Sequence, residues 1–411
     1  MRAVAGSIAA FTVLVMMGAG APAASRQAAT APPPALSGVE GPFRPAVRAG
    51  NFLYVSGALP TGADGKIVTG DIRTQTRQAL DNLKAVLQAN GARIQRVAAV
   101  TVYLKRARDF AAMNDVYRTY WPADPPVRTT VVANLVVPDA LLEISMIALT
   151  DAADRVVVHP AGWVKSPNPY SYGVRSGDTL FTAGLVARNG KDNTTVPGDI
   201  TVQTNAALGN AGEILKAAGM AYADVVSARV FLTDTALFEP MNAAYRSHFP
   251  ANPPARATVR AGLTAPDYLV EIALTAVASR DRQAVTTPNA DGSAGRANPN
   301  LSSAIRVGNR LFLSGMLGNT DANTGDVRTQ TGEALARIGR TLKAAGFGWS
   351  DVADSTVYLR DATRVGQMNG AYRQAVPTPF PARATIEAGL VSPTALVEIM
   401  MTARRNEEGK M

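Results

Sequence analysis

The sequence predicts an α+β protein built from three tandem modules of order β-β-α-β-α-β-β. They are expected to pack as an intramolecular pseudo-trimer around a central barrel-like core, with the helices outside. Three observations predict this. One phrase recurs near the end of each third, as PPVRTTVVANLVVPDALLEI from Pro125, PPARATVRAGLTAPDYLVEI from Pro253 and FPARATIEAGLVSPTALVEI from Phe380, at a period of 128 and then 127 residues. The hydrophobic period switches between two and 3.6 along the first copy. A sheet carrying two helices on one face leaves the other face bare, and three copies can cover one another there. Three independent units on a string are the alternative.

The elements of the first copy follow in order. Asn51–Ser56 is short and apolar, as a strand should be, and a glycine turn follows. Asp71–Asn90 sets Ile72, Thr76, Ala79, Leu80, Leu83, Val86 and Leu87 on one helical face, with Asp71 placed to cap the start and Gly91 just past the end. A strand at Val97–Leu104, a helix at Asp109–Tyr120 and strands at Arg128–Ala133 and Leu141–Leu149 complete the module. Measured from Gly91, Gly219 and Gly346, the next Asn, Arg and Glu of the repeated phrases lie 23, 37 and 52 residues on in every copy. Length differences fall only in the first half of each module, which marks surface loops there. The modules are expected at 41–150, 167–278 and 298–405, with linkers at 25–40, 151–166 and 279–297.

Residues 1–24 read as a cleavable secretory signal, with basic Arg2, an apolar run from Ile8 to Met17 and small residues ending Ala21-Pro22-Ala23. Cleavage is expected near Ala23, giving a secreted or periplasmic protein; an uncleaved amphipathic N-terminus is the alternative reading. No later apolar stretch approaches the roughly 20 residues needed to span a bilayer. The chain has no cysteine, which excludes disulfides, thiol catalysis and cysteine zinc sites. The formal charge of +9 is scattered in short groups such as Lys105-Arg106-Ala107-Arg108 and Arg404-Arg405, without the aromatic residues of a single-strand nucleic-acid groove. His159 and His248 are the only histidines, too few for a histidine metal cluster or a triad. Neither a phosphate-cradling glycine loop nor HExxH occurs, so no metal or nucleotide cofactor is expected.

The candidate chemistry lies in Arg128 with Glu143, Arg256 with Glu271 and Arg383 with Glu398, each pair 15 residues apart. If the last two strands form a hairpin, each pair faces across it at roughly 5 Å. Two readings stand side by side: a structural cross-strand ion pair, or an arginine and a carboxylate sharing a pocket. Each glutamate interrupts an apolar strand phrase, where a charge needs a specific acceptor. Asn114, Asn242 and Asn369 sit on the second helix of each copy beside a Met and one turn before a Tyr. They are read either as packing residues or as ligand contacts.

The Pro-Ala-Arg-Ala-Thr-Val phrase at 254–259 and its copies, the Leu-Val-Glu-Ile phrase after it, the Ser-Gly after the second strand and the Met-Asn-x-x-Tyr phrase together resemble the RidA (YjgF-type) family. The resemblance spans most of each copy. It implies a chorismate-mutase-like fold and three small-molecule sites at the contacts of a trimer, supplied here by one monomeric chain. It implies that Arg128, Arg256 and Arg383 clamp the carboxylate of a 2-imino acid, a task suited to a guanidinium fork. Glu143, Glu271 and Glu398 would orient or deprotonate the attacking water. Thr130, Thr258 and Thr385 two residues after each arginine, Asn114, Asn242, Asn369, Tyr170, Ser56 and Ser314 would bind substrate. The implied activity is an exported imine deaminase, a hydrolase acting on C=N bonds that yields 2-oxo acid and ammonia without a cofactor. The expected partner is a small carboxylate or imino acid rather than nucleic acid. The copies depart from the pattern differently: Phe43 and Leu301 stand where Tyr170 stands, Ala183 where Ser56 and Ser314 stand, and Val127 where an alanine is usual. A carboxylate-binding protein without turnover is the alternative function.

Overall fold

A computed structural model describes residues 41–405, together with Met1. The expected signal segment and the linker at 25–40 lie outside the described residues. The first copy forms β1 (Ala46–Ala49), β2 (Phe52–Ala58), α1 (Ile72–Ala89), β3 (Val97–Leu104), α2 (Phe110–Tyr120), β4 (Val127–Val132) and β5 (Leu142–Leu149). After β6 (Val156–Val158) comes the second, with β7 (Gly173–Ser176), β8 (Thr179–Thr182), α3 (Ile200–Ala217), β9 (Val225–Leu232), α4 (Phe238–His248), β10 (Ala255–Arg260) and β11 (Val270–Val277). After β12 (Arg282–Val285) comes the third, with β13 (Ala304–Val307), β14 (Arg310–Leu313), β15 (Met316–Leu317), α5 (Val327–Ala344), β16 (Val352–Leu359), α6 (Val365–Ala375), β17 (Ala382–Glu387), β18 (Gly389–Leu390) and β19 (Val397–Arg404).

Local chemistry accounts for these elements. All seven residues assigned from periodicity to the inner face of α1 are buried. The helix starts where Asp71 accepts the Thr74 backbone N–H at 2.9 Å, and Asp199 and Asp326 cap α3 and α5 in the same manner. It stops because Gly91 takes φ +69°, matched by Gly219 at +72° and Gly346 at +78°.

The sheet of the first copy runs β1-β2-β5-β3-β4, and its counterparts run in equivalent order. β3 is parallel to β4 and antiparallel to β5, and it lies between them. The last two strands therefore do not form the expected hairpin, and Arg128 and Glu143 sit two strands apart and three residues out of register, Arg128 opposite Val100 and Glu143 opposite Tyr103. The connection over 133–141 is too long for a tight turn. It leaves its own sheet, and Leu135 bridges to Ile386 of the third copy.

The three sheets cover one another. Tyr103, Val131, Phe231, Val259, Tyr358 and Ile386, two from each copy, belong to one buried cluster. Main-chain bonds join the copies in a cycle. Val132 and Gly262 exchange bonds of 2.7 and 2.9 Å, β10 pairs with β18, and Glu387 N donates to Asn134 O at 3.0 Å. The stretches read as linkers also contribute structure, because β6 and β12 extend the sheet edges beside β7 and β13. Each carries an arginine that ties it back. Arg155 donates to Val97 O and Asp124 O, and Arg282 to Val225 O and Asn252 O. Asp124 and Asn252 both adopt positive φ, 47° and 45°, at equivalent positions.

Candidate active sites between the copies

Each arginine points from its own strand toward the glutamate of the next copy. Thr130 N donates to Glu271 Oε1 at 3.1 Å, which brings the carboxylate of β11 beside Arg128 on β4. The same relation sets Glu398 against Thr258 and Arg256, and Glu143 against Thr385 and Arg383, so the cycle closes. The pairs proposed from spacing, Arg128 with Glu143, Arg256 with Glu271 and Arg383 with Glu398, are thus replaced by Arg128–Glu271, Arg256–Glu398 and Arg383–Glu143. Three sites result, each shared by two copies.

Four features build the sites, three of them at every site and the asparagine at two. The arginine comes from the strand that pairs in parallel with β3, β9 or β16 and is nearly sealed, with Arg256 only 1% exposed. Its guanidinium stacks on a tyrosine of the second helix: Tyr117 at 4.7 Å from Arg128, Tyr245 at 4.6 Å from Arg256 and Tyr372 at 5.0 Å from Arg383. An asparagine one turn earlier steadies two of the three, Asn242 Oδ1 accepting from Arg256 Nη2 at 2.6 Å and Asn369 Oδ1 from Arg383 Nη2 at 2.7 Å. A glycine of the glutamate's own copy backs it. A Cβ at Gly57, Gly184 or Gly315 would fall 1.9, 1.8 or 1.8 Å from Oε1 of Glu143, Glu271 or Glu398.

The glutamates are set on their strands by a buried glutamine of the first helix. Gln75, Gln203 and Gln330 Oε1 accept from Leu141, Leu269 and Leu396 N at 2.8, 2.9 and 2.8 Å, two residues before each glutamate. Ser56 and Ser314 lie behind the site. Their hydroxyls accept from Arg383 N and Arg256 N at 2.8 Å and donate to Arg44 O and Ser302 O at 2.6 Å. They therefore fix the backbone that carries the arginines. Ala183 removes this bond from the Arg128 site, where Gly184 N still donates to Arg128 O at 3.1 Å.

Electrostatics single out these groups. Burial pushes each of Glu143, Glu271 and Glu398 up to about 8, against the lowering effect of the threonine N–H and the facing arginine. Each is therefore poised to take or give a proton near neutral pH. Burial also lowers the three arginines, Arg383 to about 10, which leaves them charged at neutral pH. Nε and Nη1 of all three are buried without a hydrogen-bond partner. Buried donors of a cation are rarely left idle unless a ligand completes them. At the Arg383 site a cavity of about 30 Å³ is lined by Phe43, Glu143, Asn369 and Thr385, enough for a bound water.

The sites are not equivalent. Tyr170 of the second copy stands 5.8 Å from Arg128 and Phe43 of the first stands 5.3 Å from Arg383, whereas the third copy carries Leu301 at the matching sequence position. No Asn–Arg bond forms at the Arg128 site: Asn114 Nδ2 donates to Asn168 Oδ1 of the second copy at 3.1 Å, and its Oδ1 is buried without a partner. Phe110 and Phe238 add a second ring near Arg128 and Arg256, and Val365 replaces them near Arg383. The stacking tyrosines, the backing glycines and the glutamines were missed as site residues. Their recurrence in all three copies was the available signal, since Tyr117, Tyr245 and Tyr372 end the same phrase as the asparagines.

The family model described as Endoribonuclease L-PSP matches residues 35–150, 163–278 and 293–405. A RutC family protein of Pyrococcus horikoshii is 47% identical over 109 residues, 26% of this chain and 86% of its own length. The 3-aminoacrylate deaminase RutC of Acinetobacter baylyi is 38% identical over 117 residues, 28% of this chain and 90% of its own. Among solved structures, a chorismatase matches with a TM-score of 0.50 and 15% identity over 75% of this chain and 93% of its own, which shows likeness of fold. With three matches covering most of its length, the chain belongs to the Endoribonuclease L-PSP family, that of the RidA and RutC proteins, as three tandem copies.

Proposed function

We propose that the protein hydrolyses 2-imino acids, or the enamines in equilibrium with them, to 2-oxo acids and ammonia at the three inter-copy sites. The observation that carries this is a sealed guanidinium with two idle donors beside a buried glutamate pushed up to about 8. The arginine takes the substrate carboxylate, which fixes the C=N carbon in front of the glutamate. The ionised glutamate removes a proton from water as its oxygen bonds to that carbon, and the C=N pair moves onto nitrogen. The same carboxyl then returns the proton to nitrogen, takes the hydroxyl proton of the carbinolamine as the C=O bond forms, and so lets the C–N bond break with release of ammonia. Similarity to a 3-aminoacrylate deaminase supports this class of reaction. The signal-like sequence of residues 1–24 supports action outside the cytoplasm.

The test is release of ammonia and 2-oxo acid from imines made in situ by an amino-acid oxidase. The wild-type chain should accelerate release, and the folded Arg128→Ala, Arg256→Ala, Arg383→Ala variant should not. Equal rates for both would overturn the reading. Carboxylate binding without turnover is the second reading, favoured by Leu301 where the other copies carry an aromatic residue and by the lack of an Asn–Arg bond at the Arg128 site.

A further inference from the structure

A second polar cavity, of about 90 Å³, lies on the axis that relates the three copies. It is distinct from the catalytic pockets because strand residues alternate between the two. β4 gives Arg128 and Thr130 to the inter-copy site and Val127 and Thr129 to the axis, and β17 gives Arg383 and Thr385 to one and Ala384 to the other. The volume is well above the ~10–15 Å³ that one water requires. Three rings, Tyr54, Phe181 and Phe312, help to wall it.

The cavity breaks the symmetry of the fold. Thr101, Arg229 and Thr356 occupy equivalent positions on β3, β9 and β16, and Ala99, Ser227 and Asp354 occupy the next axis-facing positions. In a trimer of identical chains, an arginine here would occur three times around one axis, and its like charges would repel. A single chain can place one arginine and one aspartate there. The two charges form a loose ion pair, Asp354 also accepts from the Ser355 backbone N–H, and both have room for further hydrogen bonds. Arg229 Nη1 donates to Thr101 Oγ1 at 3.3 Å, and its Nη2 is 3.8 Å from Asp354 Oδ2, beyond hydrogen-bond range. Their side chains keep 26% and 19% of their accessibility inside the fold. A guanidinium has five donors, so most of this one remains free for a ligand.

We propose that the axial cavity binds one small zwitterion of the α-amino-acid type per chain, its carboxylate on Arg229 and its ammonium on Asp354. Charge matching selects this class. A simple carboxylate would set a second negative charge against Asp354, a simple amine would set a second positive charge against Arg229, and a zwitterion meets both at no net charge. Ser227, Thr275 and Thr402 add hydroxyls around it.

The experiment is isothermal titration of the mature chain carrying Arg128→Ala, Arg256→Ala and Arg383→Ala, with glycine, acetate and methylammonium as separate probes. With the inter-copy arginines gone, one glycine per chain should still bind, and acetate and methylammonium should bind much more weakly. Adding Arg229→Thr or Asp354→Ala introduces residues that other copies carry at those positions, so the fold should tolerate them. Each should weaken glycine by about tenfold or more. In the otherwise wild-type chain, Arg229→Thr should leave imine turnover unchanged, which separates this site from the catalytic ones. Absence of glycine binding, glycine binding indifferent to both axial substitutions, or acetate binding as tightly as glycine would overturn the proposal.

Discussion

Replacing Glu143, Glu271 and Glu398 together by Gln should largely remove a fall of stability with rising pH. Each glutamate is pushed from 4.5 to about 8 by burial, so the native state holds protons that the unfolded chain releases. Stability from these groups is fully present below about pH 4.5 and is lost as pH rises toward 8. One proton per site corresponds to at most about 1.4 kcal/mol per pH unit, hence about 4 kcal/mol per pH unit for the three sites. For a folded unit of this size, with an unfolding entropy of roughly 2 cal/mol/K per residue, that limit is about 5 °C in Tm per pH unit. Calorimetry from pH 5 to 8 should show the wild-type Tm falling and the triple Gln variant markedly flatter. His248, lowered by burial, acts with the opposite sign and is common to both proteins, so the difference between them cancels it. Parallel Tm profiles for the two proteins would refute the assignment of neutral-range protons to these carboxyls.

Three further substitutions test the geometry around the sites and of the connecting segments. In a chain already carrying Arg128→Ala and Arg383→Ala, Gly315→Ala should abolish the remaining imine turnover, because its Cβ would fall 1.8 Å from Glu398 Oε1. Gly332→Ala on α5 meets nothing within 4 Å, so it should leave turnover intact and stabilise the helix by up to about 1 kcal/mol. Arg282→Ala removes the bonds from the second connecting segment to Val225 O and Asn252 O and should cost roughly 1–2 kcal/mol in urea unfolding, whereas a flexible linker would show no change.

Much of the fold was legible because local signals agreed with one another. Asp71 and Gly91 bound α1, the apolar face of that helix is buried as its period required, and β3 was read to the residue. Strand order was not legible. Periodicity identifies β4 and β5 but says nothing about what inserts between them, and the hairpin reading failed because β3 does. That error also misassigned the Arg–Glu partners, since constant spacing of 15 residues reflects descent from one module and not contact. β6 and β12 escaped notice because three or four polar-flanked residues on a sheet edge carry almost no pattern of their own. The site residues found by motif were the charged ones. Glycines backing the glutamates and glutamines holding their strands act through close approach and main-chain bonds, which single positions do not advertise.

The most direct test of catalysis between copies is the rate of ammonia release by two double variants compared with their single variants. Arg128→Ala with Glu271→Gln strikes one pocket twice, so this variant should lose no more than Arg128→Ala alone. Arg128→Ala with Glu143→Gln strikes two pockets and should lose the sum of the single losses. The opposite pattern, with Arg128 and Glu143 behaving as one unit and Arg128 and Glu271 as two, would contradict the inter-copy sites.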